Sequence, residues 1–189
     1  MTEDDISQKY IRLLHDGVDV FLKPAALELK KFLTMSLSNQ NHNYNIFFCG
    51  NGGSASTAEH ATADFGPVLS RFGKNLKCFS LNSNTSSITC IANDEGYDYI
   101  FERQIELLSN PNDLIVVFSG SGNSTNIINV LKYSKQNSIK SFSLLGFDGG
   151  AAKSLSDFSF IFPIHDMQVV ENLQLCTIHL ALKFLITAS

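Results

Sequence analysis

The chain has 189 residues, 44 % of them hydrophobic and only 17 % charged, which suits a globular protein with much apolar surface to bury and excludes a disordered one. A net charge of −4 with no basic tract speaks against a nucleic-acid partner. The acidic start "MTEDDISQKY" has no signal-peptide pattern, and the apolar "LALKFLITA" is interrupted by Lys183 and too short to span a bilayer, so no membrane partner and a cytoplasmic location are expected.

Residues 3 to about 37 read as helix. Ile6, Ile11, Leu13, Leu14, Val18, Phe21, Leu22, Leu27, Leu29 and Phe32 recur at three- and four-residue intervals, and Pro24 predicts a break between two helices. The polar run "SNQNHNYN", residues 38 to 45, reads as loop. Five short apolar runs then alternate with helix-compatible stretches: "NIFFC", "LKCFSL", "DLIVVFS", "IKSFSLLG" and "FSFIFPI". A long helix closes the chain from about Met167. Such alternation predicts a parallel sheet covered by helices on both faces, within one domain. The fifteen Phe and the low charged fraction suggest that some apolar surface lies between subunits. The cysteines show no CxxC spacing; Cys49, Cys78 and Cys90 lie in apolar stretches and are expected to be buried free thiols.

Ligands of open parallel sheets bind beyond the carboxyl ends of the strands, and two small-residue turns fall there. "GNGGS" (50 to 54) follows the first run, and "GSGNS" (120 to 124) follows the third. Ser119, Ser121, Ser124 and Thr125 offer hydroxyls, Gly120 and Gly122 admit close approach, and the next helix presents free N–H groups. No Lys stands in either loop, so a phosphate monoester held by neutral donors fits better than a nucleoside triphosphate. An ordinary turn with a Ser or Thr N-cap would read alike. In the first loop Asn51 is read either as a left-handed residue or as a ligand-hydroxyl partner.

His60 and Asp64 are four residues apart and share a helical face. Glu171 and His179 share one side of the closing helix but lie about 12 Å apart along its axis. Glu171 also reads as an ordinary first-turn acid, whereas His179 sits in an apolar stretch where its ring needs a partner.

Taken together, "CGNGGSAS", the His60–Asp64 pair, "CIANDEGYDYIF", "SGSGNS" and the closing helix with its His resemble the SIS (sugar isomerase) domain over nearly the whole chain, and within it the phosphoheptose isomerases. That resemblance implies a three-layer αβα sandwich with a five-stranded parallel sheet (45 to 189) behind N-terminal helices (1 to 40). It implies an aldose–ketose isomerase interconverting sedoheptulose 7-phosphate and D-glycero-D-manno-heptose 7-phosphate, for lipopolysaccharide or capsule heptose, and a homotetramer with sites built between subunits. Asn51, Gly52, Gly53, Ser54, Asn93, Asp94, Ser119, Gly120, Ser121 and Ser124 would line the sugar phosphate, together with Asp64 and Glu171. His60, Asp64, Glu171 and His179 would hold one zinc per subunit, with Asp64 and His179 also moving protons. Three positions depart from the family: Asp64 stands for Glu, Glu171 for Gln, and Gly120 for Thr. The rival reading is a non-catalytic sugar-phosphate-binding relative, of the kind that associates with the replication initiator DnaA.

Overall fold

A computed structural model describes residues 2–37, 43–70 and 76–187. Five strands form one parallel sheet: β1 (Tyr44–Gly50), β2 (Leu76–Ser80), β3 (Leu114–Ser119), β4 (Lys140–Gly146) and β5 (Phe158–Phe162), in the order β2-β1-β3-β4-β5. All five expected strands are present, the first beginning one residue before the expected run. Of the expected loop, residues 38–42 lie outside the described residues.

Strand alternation divides the core in two. Ile46, Phe48, Leu114, Val116, Phe118, Phe142 and Leu144 face one layer, packed by α2 (Lys23–Ser36), α3 (Gly53–Ser70) and α8 (Met167–Thr187). Phe47, Cys49, Ile115, Val117 and Leu145 face the other, against α5 (Glu102–Leu108) and α6 (Thr125–Gln136), with α4 (Thr85–Asp94) and α7 (Ala152–Leu155) beside them. The expected three-layer α/β sandwich is the observed one. Cys49 is buried and Cys78 partly so, but Cys90 is exposed on α4, because the apolar run around it meets the core through Ile88, Ile91 and Ala92 instead.

Pro24 does not break the N-terminal helix. The backbone passes from α1 (Glu3–Gly17) through a π-helical turn at Val18–Leu22 into α2 with helical dihedrals throughout. Proline lacks an N–H and its ring crowds the carbonyl four residues back; the wider turn over Val18–Leu22 accommodates both and the helix continues. The apolar residues of this region also divide. Ala25, Ala26, Leu29, Phe32 and Leu33 are buried, while Ile6, Ile11, Val18, Val20, Leu27 and Met35 remain exposed.

By length and composition α8 could cross a membrane, yet seven of its residues, among them Val170, Leu173, Gln174 and Ile178, are buried against the sheet and its neighbouring helices. It is the core helix of this face.

The strand order reverses between β1 and β3: the connection from β1 runs outward to β2, and that from β2 crosses back to β3. This is the topological switch point where parallel sheets open a crevice at their carboxyl ends. The opposite end is pinned by Asp113, which is fully buried and accepts from the Asn45 backbone N–H (2.8 Å), Asn45 Nδ2 (2.9 Å) and the Asn110 N–H (2.8 Å). Hydrogen bonds to a charged group contribute about 1.5–3 kcal/mol each, and donors left buried without an acceptor are costly. Asp113→Ala is therefore expected to lower unfolding free energy by about 3 kcal/mol, read as a fall in the urea midpoint at unchanged m-value; a midpoint equal to wild type would refute the assignment.

Candidate active site

Both small-residue turns leave the sheet at the switch point. The β1–β3 ladder ends at Gly50 opposite Phe118, and the turns begin there. Between them lies a cavity of about 220 Å³ lined by Asn51, Gly52, Ser54, Ser119, Gly120, Ser121 and Ser124, with Met167 and Glu171 reaching in from α8. Eight of the expected sugar-phosphate residues thus meet in one cavity.

Its donors are in different states of commitment. Ser124 is the N-cap of α6 in extended conformation, but its side chain makes no capping bond, so the hydroxyl is left for a ligand. The first-turn N–H groups of Thr125 and Asn126 have no helical acceptor by construction. Ser121 Oγ accepts from the Asn123 N–H (3.2 Å) and Ser119 Oγ from the Gly122 N–H (3.0 Å), which leaves each hydroxyl proton available. Ser54, buried, donates its proton to Gln174 Oε1 (3.1 Å), and Gln174 Nε2 donates to the Leu144 carbonyl (2.8 Å). That buried glutamine fastens α8 to α3 and β4.

Asn51 is not left-handed; Gly52 takes the positive φ of 58° instead. The Asn51 amide bonds Asn126 and Tyr97. Two glycines are demanded by side chains of α8: a Cβ on Gly53 would fall on the Glu171 carboxylate, and a Cβ on Gly120 would fall on the Met167 sulfur. The hydroxyl that Gly120 lacks therefore has no room beside Met167.

A second cavity of about 240 Å³ runs between α3 and α8, lined by Gly53, Ser56, Thr57, His60, Glu171, Asn172 and Leu175. Glu171 lines both cavities and joins them. At its end His60 and Asp64 of α3 meet His179 of α8. His60 Nε2 and His179 Nε2 are 2.9 Å apart, and Asp64 Oδ2 lies 3.3 Å from the first and 3.7 Å from the second. The His179 ring, set in an apolar stretch of α8, thus finds on α3 the partner expected of it. The imidazoles meet edge to face, 4.9 Å between centroids, and the cluster is half-exposed.

Three lone-pair atoms converging in this way repel unless a proton or a cation stands among them. A zinc ion with ligand bonds of about 2.0 Å sets tetrahedral ligands about 3.3 Å apart, and the three observed separations straddle that value. Two imidazoles and one carboxylate with a fourth position open is a donor set suited to zinc in a catalytic rather than a structural role. Glu171, expected as a fourth ligand, stands outside the cluster among the described residues, because two helical turns separate it from His179. Asn93 and Asp94, at the carboxyl end of α4, are exposed, bond each other (2.7 Å) and line neither cavity.

No thiol is poised for chemistry. Burial raises Cys49 far above the ordinary thiol range, Cys78 to about 12, and Cys176 in the same direction. Exposed Cys90 is raised by donating to Asp94 Oδ2 at 3.5 Å, and further by that charge. Removing the carboxylate lowers the thiol pKa and increases the thiolate fraction at any pH below it. Asp94→Asn is expected to speed iodoacetamide labelling of Cys90 several-fold at pH 8, followed by peptide mass spectrometry; an unchanged rate would mean that Asp94 does not hold the proton.

With this geometry in view, the SIS domain family matches residues 9–146. A phosphoheptose isomerase of Helicobacter pylori strain P12 is 35 % identical over 177 residues, covering 94 % of this chain and 92 % of that one. One from Aliarcobacter butzleri is 35 % identical over 151 residues, 80 % of each chain. The solved structure of phosphoheptose isomerase from Neisseria gonorrhoeae superposes with a TM-score of 0.84 at 25 % identity, covering 97 % of this chain and 96 % of that one.

Proposed function

This chain belongs to the SIS domain family, and from that premise we propose how its residues work as a phosphoheptose isomerase. The reaction interconverts sedoheptulose 7-phosphate and D-glycero-D-manno-heptose 7-phosphate. One observation carries the residue assignment: an anion cradle of neutral donors at the switch point opens, past Glu171, onto a His–Asp–His cluster. A sugar phosphate needs its phosphate held at one end and its carbonyl end worked on at the other. A non-catalytic binder would need the cradle alone.

In this reading the hydroxyls of Ser121 and Ser124 and the first N–H groups of α6 hold the phosphate, supported by the positive end of the helix. Asn51, Gly52, Gly53, Ser54, Ser119 and Gly120 shape the rest of the cradle, and Glu171 receives hydroxyls of the sugar chain where the two cavities join. Asp64 turns Oδ2 to the imidazoles, which leaves Oδ1 to take the proton from carbon 1 of the ketose. Protonation of the carbonyl oxygen gives the enediol; return of a proton to carbon 2 and loss of one from the oxygen on carbon 1 give the aldose. His179 serves the oxygens. Zinc held by His60, Asp64 and His179 would supply charge stabilisation at the developing enediolate oxygen. Nε2 of His179 cannot bind metal and carry a proton at once, so its two expected roles are alternatives at that atom.

Residues 1 to 189 act in this reading as one SIS unit in the cytoplasm, with no membrane or nucleic-acid partner. Ile6, Ile11 and Val20 on the N-terminal helix and Leu107 on α5, all exposed, support association of copies into a homotetramer. Asn93 and Asp94, which line neither cavity of their own chain, then face a neighbour's site. Heptose for lipopolysaccharide or capsule is the product's destination.

Two experiments test this. Purified protein incubated with sedoheptulose 7-phosphate is expected to form the aldose by NMR, and the Ser121→Ala/Ser124→Ala double variant to raise KM at least tenfold, the loss of one or two hydrogen bonds to a charged group. Unchanged KM would remove the phosphate from this cradle. Elemental analysis after chelator-free purification is expected to find one zinc per chain, lost in His60→Ala; metal-free protein of full activity would assign the cluster to proton transfer alone.

A further inference from the structure

Asn51 after β1 and Asn126 at the head of α6 are 75 residues apart in sequence, and the backbone ladder that aligns β1 with β3 stops one residue short of the site, at Gly50 and Phe118. What holds the loops together beyond that point is a pair of side chains. Asn51 Nδ2 donates to Asn126 Oδ1 at 2.9 Å, and Asn126 Nδ2 donates back to Asn51 Oδ1 at 3.0 Å. Beyond the strand ladder, these two bonds join the turn after β1 directly to the head of α6. The Tyr97 hydroxyl adds a third, to Asn51 Oδ1 at 3.1 Å. An amide oxygen has two lone pairs, and these two donors fill both on Asn51.

We infer that Asn126 is a positioning residue for the phosphate cradle, acting through its reciprocal amide pair with Asn51, with Tyr97 closing the same oxygen. The inference rests on the reading of this cavity as the phosphate site. Asn126 lies in the first turn of α6, on the face that buries Val130 and Ser134, and is only 2 % exposed. A buried amide demands partners, and the Asn51 side chain meets the demand on both of its functional atoms. Each amide satisfies the other only when the turn after β1 and the head of α6 stand at one separation and one orientation. The pair therefore sets the distance between Gly52 and Ser54 on one side of the cavity and Ser121 and Ser124 on the other. Tyr97, in the 3₁₀ turn Tyr97–Tyr99, is itself held by its neighbour: Asn129 Nδ2 donates to the Asp98 carbonyl at 3.1 Å, so α6 braces the turn that braces Asn51.

Asn126→Asp tests the pair with almost no change in volume. It keeps the bond that Asn51 donates, removes the return bond and sets an oxygen against Asn51 Oδ1. Inorganic phosphate is the probe, titrated by calorimetry at pH 8 against wild type, Ser124→Ala, Asn126→Asp and Tyr97→Phe. Wild type is expected to bind, and Ser124→Ala to bind more weakly. Asn126→Asp is expected to weaken phosphate binding about tenfold with the circular-dichroism spectrum of the folded protein retained. It should raise KM for the sugar phosphate by a similar factor and leave kcat within about threefold. Tyr97→Phe, at an exposed position where the fold is not at risk, is expected to show the same direction at about two- to threefold. A merely structural role would lower the melting temperature and leave phosphate affinity and KM of the folded protein where they were. That result in Asn126→Asp, or wild-type affinity in Tyr97→Phe, where no charge is added, overturns the inference while the cradle reading survives. Phosphate binding that ignores Ser124→Ala overturns the cradle reading and this inference with it.

Discussion

The carboxyl end of a parallel sheet is held open at one place, between β1 and β3, where the chain leaves two neighbouring strands in opposite directions. Everything that makes this molecule able to hold a small anionic ligand hangs from that divergence. Connections that ran the same way would lay one helix head across the next and fill the crevice. Divergence leaves a gap about as wide as a strand spacing, floored by the ends of two strands, with the amino end of α3 on one side and that of α6 on the other. The glycines and serines at 50–54 and 119–124 are what a chain requires to turn from strand to helix there without obstructing the gap.

The second support is α8. It is apolar almost all round because it lies across the sheet on a crowded face, and its few polar residues are those with duties. Gln174 is buried and satisfied at both ends of its amide; Thr177 bonds its own helix; Glu171 lines both cavities, and His179 meets His60 and Asp64. One rigid helix therefore sets the cavity between the two turns and the His–Asp–His cluster in a fixed relation, as Met167 and Glu171 line the first and His179 completes the second. Stiffness matters to the proposed mechanism because proton transfer tolerates little misplacement of the base.

Much of this was legible in the amino-acid order. Five apolar runs separated by helix-compatible stretches have few outcomes other than a covered parallel sheet, and small-residue turns after the first and third runs mark the crevice. His60 and Asp64 were legible because a four-residue spacing is local geometry. Harder to read was anything that depends on where two distant segments touch. Nothing in the order of residues says that Glu171 and His179 attend different parts of the site, although the axial rise of a helix hints at it. Asn126 escaped notice because a single Asn near a helix start reads as a cap residue; the available signal was its place on the buried face of "TNIINVL". Pro24 misled in the other direction, since a π turn absorbs a proline that an α-helix would not, and periodicity alone cannot separate the two. The exposed Ile6, Ile11 and Val18 share the spacing of core residues, and only the tertiary structure shows that no element among the described residues covers them.

The rung made by Asn51 and Asn126 has a bearing on which changes of length the fold can absorb. A backbone ladder can slide by two residues and remain a ladder, but a tie between two named side chains, one just past the end of β1 and the other in the first turn of α6, has no alternative register. A residue inserted at 51–53 or at 120–125 would turn one amide away from the other and leave both unsatisfied next to the crevice. At the amino ends of the strands the Asp113 cluster ties β1 to β3 through Asn45 and Asn110, but it lies at the end of the sheet away from both cavities, so a change of length there leaves the Asn51–Asn126 pair in place. Length variation among functional versions of this sequence should therefore be strongly one-sided, confined to the end of the sheet that does no chemistry.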